Sequence, residues 1–232
     1  MDFKITKIKT KKDKIYKLPS MGKILPDHPE TTVFNGRAGS GKSNLLISLL
    51  HKFYKNYFNV IHLFAGSVDE MFDKIKGKII KHTNPKEFKK DLREVLEKQN
   101  QMITEKGINK STRCLIIFED MVNHKSFMKT PEFKQCYVSQ RHSNCSVWLT
   151  NQYWNELPKV CRMNVMNVFY FAGNQLEKKI LMEEDCPPKL TMNKFRELID
   201  YATEEPYSFL TIFRKKPQHL RFRKNLDVLL KI

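Results

Sequence analysis

The 232-residue sequence predicts an α/β fold: a mostly parallel central sheet with helices on both faces, completed by a small C-terminal α+β extension. Three observations predict it. Short runs that are apolar at every position recur along the chain, as strands do when both faces of a parallel sheet are covered. Segments with helical periodicity alternate with them. Hydrophobic residues make up 41% of the chain, enough to bury the core of one ordinary domain.

The elements follow in order. Residues 1–30 read as a basic arm. Lys4 to Lys17 alternate with Ile, Phe and Thr, which suits an edge strand or a flexible arm, and Pro19, Gly22, Pro26 and Pro29 then interrupt regular structure. The first strand is Thr31-Thr32-Val33-Phe34-Asn35, running straight into a glycine-rich turn. From residue 44 to 57, Leu45, Leu46, Leu49, Leu50 and Phe53 recur at helical spacing. Residues 59–65 form a second buried strand. Residues 85–106 form a helix whose apolar stripe is Phe88, Leu92, Val95, Leu96, Met102 and Ile103, stopped by Gly107. A third strand, 113–118, ends at Glu119-Asp120; a fourth, 146–150, ends at Asn151-Gln152; a fifth, 167–172, ends at Gly173. The core therefore spans 31–175. Beyond it, helices over 176–185 and 192–201 and a hairpin of 207–213 with 219–223 around Pro217 complete the same domain.

The formal net charge is +17, from 42 Lys and Arg against 25 Asp and Glu, which attracts polyanions at long range and makes nucleic acid the first candidate partner. The plainer reading of a lysine-rich chain is a solvated surface. Five cysteines, an odd number with no Cys-x-x-Cys pair, support neither a disulfide framework nor a zinc knuckle; Cys114 and Cys145 lie in apolar runs and suit a core. The N-terminus lacks the apolar block of a signal peptide, and no apolar run reaches bilayer length, so a soluble intracellular protein is expected.

The turn after the first strand reads Gly36-Arg37-Ala38-Gly39-Ser40-Gly41-Lys42-Ser43, with Asn44 opening the helix. Glycines let the backbone curl so that several N–H groups face a phosphate, and the helix N-terminus adds partial positive charge. Residues 36–44 are the expected nucleotide contacts. Lys42 is placed to bridge the β- and γ-phosphates and the Ser43 hydroxyl to bind Mg²⁺. A chance match to this pattern in a chain of this length is on the order of 1%, and the strand–loop–helix context lowers that further. A phosphate loop also requires an acid at the end of a buried strand, and Glu119-Asp120 supplies two. By position Glu119 serves Mg²⁺ and Asp120 the attacking water, but the order is inverted from the usual Asp-first pair, so Glu119 and Asp120 both stay candidates for the metal and for the water-activating acid. The alternative is two acids capping the next turn. Gln152 is a candidate sensor of the γ-phosphate, or an amide satisfied by local backbone. A strand between the glycine loop and the acidic strand, and another after it with a polar end, point to P-loop NTPases of the ASCE, RecA-like kind. The guanine-reading Asn-Lys-x-Asp signature is absent.

This ordered set resembles the DNA-packaging ATPases of large eukaryotic DNA viruses and virophages, the poxvirus A32-like branch of the FtsK–HerA superfamily. The resemblance is carried by Phe34-Asn35-Gly36 through Ser43, by Leu115 to Asp120, by Arg141-His142 before the fourth strand, by Gln152, and by Leu157-Pro158-x-x-Cys161-Arg162-Met163-Asn164. It implies an ATP-hydrolysing motor that moves double-stranded DNA, with ATP and Mg²⁺ as cofactors. The motor would be a hexameric or pentameric ring, possible capsid partners would follow, and its place would be the infected cell's cytoplasm or the virion. It implies an arginine donated across subunits, for which Arg162 and Arg141 are candidates; a structural ion pair for the first and a surface cation for the second are the plainer readings. Lys125 and Lys129 are candidate pore residues. The arm, Arg214-Lys215-Lys216 and Arg221-Phe222-Arg223 are candidate contacts to the DNA backbone, each also readable as solvated. Alternative functions are a HerA-like translocase or helicase, a P-loop small-molecule kinase, and a non-catalytic DNA-binding protein.

Overall fold

The computed structural model describes residues 24–231; the first part of the expected basic arm, with Lys4 to Lys17, lies outside the described residues. The strands are β1 (Thr31–Asn35), β2 (Val60–Ala65), β3 (Ile79–His82), β4 (Cys114–Glu119), β5 (Cys145–Asn151), β6 (Asn167–Phe171), β7 (Phe209–Phe213), β8 (Phe222–Lys224) and β9 (Val228–Leu229). The helices are α1 (Lys42–Lys52), α2 (Phe88–Lys106), α3 (Lys125–Met128), α4 (Pro131–Val138), α5 (Lys159–Asn164), α6 (Gln175–Asp185), α7 (Met192–Ala202) and α8 (Gln218–Arg221).

One sheet joins the nine strands in the order β3-β2-β4-β5-β1-β6-β7-β8-β9. Pairings from β3 across to β6 are parallel, and those from β6 to β9 are antiparallel. The parallel strands thus end along one edge of the sheet. β5, late in sequence, inserts between β1 and β4 and brings the glycine-loop strand within one strand of the acidic one.

Side chains of each central strand alternate between two cores. On β4, Cys114, Ile116 and Phe118 enter one, with Phe88, Leu92 and Leu96 of α2, Phe133 of α4, Leu181 of α6 and Ile199 of α7. Leu115 and Ile117 enter the other, with Leu46, Leu49 and Leu50 of α1. Continuous apolar runs are what this two-sided burial requires. The four cysteines Cys114, Cys136, Cys145 and Cys161 are buried free thiols.

Several details differ from the sequence reading. α2 starts at Phe88 rather than residue 85 because residues 85–87 form a turn. β3 is an edge strand that the periodicity did not reveal. Pro217 opens the short helix α8, so β8 begins at Phe222 and not at 219. Before β1, Leu25, His28 and Glu30 are buried against the body of the fold. The Glu30 carboxylate receives hydrogen bonds from Thr32, from the indole of Trp148 and from Asn167, the last at 2.8 Å. Burial nevertheless pushes it up to about 7. Among the described residues no helix is long and apolar enough to cross a membrane.

Candidate functional site

The chain leaves β1 at Asn35 and curls through residues 36–41 before α1 begins. The Gly36 N–H donates to the Asn151 carbonyl at 3.1 Å, which pins the loop to the end of β5. A Cβ on Gly36 would lie 2.6 Å from Phe171 Cβ, so only glycine permits this approach. Gly41 precedes α1 at φ 97°, with no side chain capping the helix and no acid in its first turn. The first amides of α1 and the positive end of its dipole are therefore left for an anion. Arg37, Ala38, Gly39 and Asn44 are exposed around the turn. The Arg37 carbonyl accepts from Ser40 N–H at 3.2 Å and from Lys42 Nζ at 2.8 Å. Burial lowers the Lys42 pKa, opposed by the charges of Glu119, Asp120 and Glu177.

The sheet order delivers the acids to the loop. Ser43 Oγ donates to Glu119 Oε1 at 2.5 Å, and Thr150 Oγ1 donates to Glu119 Oε2 at 2.7 Å. Burial raises the Glu119 pKa, while the Ser43 and Thr150 hydroxyls lower it. Asp120 turns the chain at φ 48°, ψ 58°. Its N–H donates to Thr150 Oγ1 at 3.0 Å, and its Oδ1 accepts from Gln152 Nε2 at 2.9 Å. The two acids consequently face different partners: Glu119 meets the loop serine, and Asp120 is exposed beside Gln152. Thr150 bridges both. Sequence reasoning missed this residue; its signal was a hydroxyl one place before the polar end of an otherwise apolar strand.

The donor set fits a magnesium ion with phosphate. Ser43 and Glu119 offer hard oxygens in mutual contact. Among the described residues no group of three or more His, Cys, Asp or Glu could hold a metal by itself. Mg²⁺ typically takes one or two carboxylates and completes its shell with water and substrate phosphates.

The two candidate arginines are elsewhere. Arg141 precedes β5 and Arg162 lies in α5 before β6, so both occupy the edge of the sheet opposite the glycine loop. Arg141 is exposed. Arg162 is engaged within the chain, its Nε on Glu184 Oε1 at 2.9 Å and its Nη1 on the Leu157 carbonyl at 2.8 Å. Among the other cations, Lys125 pairs with Glu156 at 2.6 Å, and Arg214 is bound bidentately to Asp185 at 2.7 and 2.6 Å. Arg214 is therefore a structural member of its basic cluster, not a solvated one. Lys129 and Lys215 are exposed.

A family model described as Poxvirus A32 protein matches residues 22–184. Among solved structures, the chain is similar to B204, the DNA-packaging ATPase from Sulfolobus Turreted Icosahedral Virus. The TM-score is 0.58 at 14% identity, over 80% of this chain and 93% of that one. It is also similar to the genome packaging NTPase B204 of Sulfolobus turreted icosahedral virus 2 in complex with ATP-gammaS, with TM-score 0.55 at 14% identity over 79% and 92%. The pCW3 conjugation coupling protein TcpA, monomer form with ATPgS, gives 0.60 at 11% identity over 89% and 65%. These likenesses establish the fold, that of P-loop NTPases. No curated protein sequence matches the chain.

Proposed function

The chain belongs to the Poxvirus A32 protein family, and we propose that it is an ATP-hydrolysing motor that translocates double-stranded DNA, packaging a viral genome into a capsid. The observation that carries this reading is the contact of Ser43, Glu119 and Thr150 at the mouth of the glycine loop, which joins the loop to an acid pair in the arrangement phosphoryl transfer requires.

In this reading the loop amides, the start of α1 and Lys42 bind the triphosphate and offset its charge. Ser43 and Glu119 would hold Mg²⁺, which when bound polarises the terminal phosphoryl group and neutralises developing charge. Asp120, steadied by Gln152, orients the attacking water and takes its proton. Gln152 thereby couples the acid to the presence of the terminal phosphate. Neither Arg141 nor Arg162 lies at its own chain's loop edge, so a finger from either would act on a neighbouring subunit's nucleotide, which favours a ring. The net charge of +17 supplies the sequence-independent attraction to duplex DNA. Similar proteins named above support the reading: B204 is a DNA-packaging ATPase, and the B204 of the second virus is a genome packaging NTPase in complex with ATP-gammaS.

Phosphate release from ATP, measured with and without linear duplex DNA at low salt, tests the proposal. Stimulation by duplex and loss of all turnover in Lys42→Ala are expected. Turnover indifferent to duplex would contradict a DNA motor and return the small-molecule kinase to consideration. Nucleotide binding without turnover would favour a non-catalytic DNA-binding protein.

A further inference from the structure

The hydrolytic groups all stand on one side of the glycine loop. Glu119 and Asp120 end β4, and Thr150 and Gln152 end β5; in the sheet these strands lie on one flank of β1, with β6 and β7 on the other. A triphosphate whose reacting end faces β4 and β5 therefore sends its nucleoside toward β6 and β7.

Tyr207 stands on that flank. It immediately precedes the Ser208 that leads into β7, and its ring borders the loop: a Cβ on Gly41 would lie 3.3 Å from Tyr207 Cδ1. Tyr207 is 71% exposed, whereas Phe171 and Phe209 are buried. Core packing thus gives no reason for an aromatic here. Its backbone adopts φ 64°, a conformation unfavourable for a bulky residue. That conformation is held by a closed turn, in which the Ser208 hydroxyl donates to the Glu205 carbonyl at 2.8 Å and accepts from the Glu205 N–H at 3.1 Å. A fixed, exposed aromatic face in strained backbone beside a phosphate site is a functional signature rather than a packing one.

We infer that Tyr207 is the platform on which the nucleobase of the bound nucleoside triphosphate stacks. The inference rests on the nucleotide-binding reading above. Stacking uses the π-face shared by all bases and ignores their hydrogen-bonding edges, so adenine and guanine triphosphates should both be accepted.

The test compares binding of ATP and of inorganic tripolyphosphate, each with Mg²⁺, to the wild type, Tyr207→Asn and Tyr207→Phe. Asparagine tolerates the left-handed backbone, so the turn is kept while the ring is removed. Tyr207→Asn should bind ATP about tenfold more weakly and tripolyphosphate as the wild type does, while Tyr207→Phe should retain ATP affinity. Wild-type ATP affinity in Tyr207→Asn would overturn the inference and leave the nucleotide site standing. Equal losses for ATP and tripolyphosphate would also overturn it, by showing that the ring merely shapes the loop. A wild type that binds neither ligand would instead refute the nucleotide reading itself.

Discussion

Replacing Thr150 with valine tests whether the acid pair is positioned by the hydroxyl between them. Valine keeps the β-branched shape that β5 favours. It removes the donor to Glu119 Oε2 at 2.7 Å and the acceptor for the Asp120 N–H at 3.0 Å. Thr150 is only 1% exposed, so water does not replace its bond to Glu119. A hydrogen bond to a charged group contributes roughly 1.5–3 kcal/mol, so about 2 kcal/mol of stability should be lost. The chemical consequence is separate. The Thr150 hydroxyl holds the Glu119 pKa down against the burial that raises it. In Thr150→Val that pKa should rise further, shifting the acid limb of the rate profile upward. We expect turnover at neutral pH to fall by about tenfold or more, equivalent to ~1.4 kcal/mol of barrier. Part of it should return as pH rises, and nucleotide affinity without Mg²⁺ should be unchanged. Steady-state phosphate release across pH, beside nucleotide titration and urea unfolding, measures all three. Wild-type turnover with an unshifted profile would refute the assignment of Thr150.

Glu30→Gln probes the other edge of the sheet. The unfolded carboxyl releases its proton near its ordinary 4.5 and the folded one at about 7. Its stabilising contribution is therefore complete below 4.5 and falls as pH rises through 7, by about 3 kcal/mol. His28 and His62, pushed down by burial from 6.5 to about 4, act in the opposite sense, so the quantity to measure is the wild-type minus Glu30→Gln difference in unfolding free energy against pH. Parallel curves would contradict the burial of an ionisable Glu30. Arg162→Ala should lower stability by about 3 kcal/mol, because the partly buried Glu184 loses its nearest cation, whereas exposed Arg141→Ala should change it by less than about 0.5 kcal/mol. Thermal melting checks both. If either arginine acts across subunits, its alanine variant should bind nucleotide, fail to hydrolyse it, and regain activity when mixed with Lys42→Ala subunits. Failure of every mixture would remove the shared-site reading.

The phosphate loop was legible because its chemistry is local: eight consecutive residues must occupy one turn between a strand and a helix. The five central strands were legible because burial on both faces leaves unbroken apolar runs. β3 was not, since Ile79 to His82 is short and its His82 is accommodated only by tertiary contacts, stacking on Phe64 at 4.2 Å and pairing with Asp91 at 2.9 Å. The sequence marked both acids and Gln152 as site candidates, but their division of partners depends on β5 entering between β1 and β4, a pairing of distant segments. Glu30 looked like part of a basic arm for the same reason: Trp148 and Asn167, two of its partners, are more than a hundred residues away. An ion pair was among the readings of Arg162, but its partner Glu184 was not legible, and Arg214 read as a DNA-facing or solvated cation until the folded chain placed Asp185 beside it.

A crystal structure with Mg²⁺ and a non-hydrolysable ATP analogue would decide whether this loop holds a triphosphate. The terminal phosphate should lie against Lys42 on the β4–β5 side of the loop, the metal in contact with Ser43 on the Glu119 side, and the base toward Tyr207. A triphosphate lying in the reverse direction, or a loop that admits no nucleotide, would contradict this arrangement.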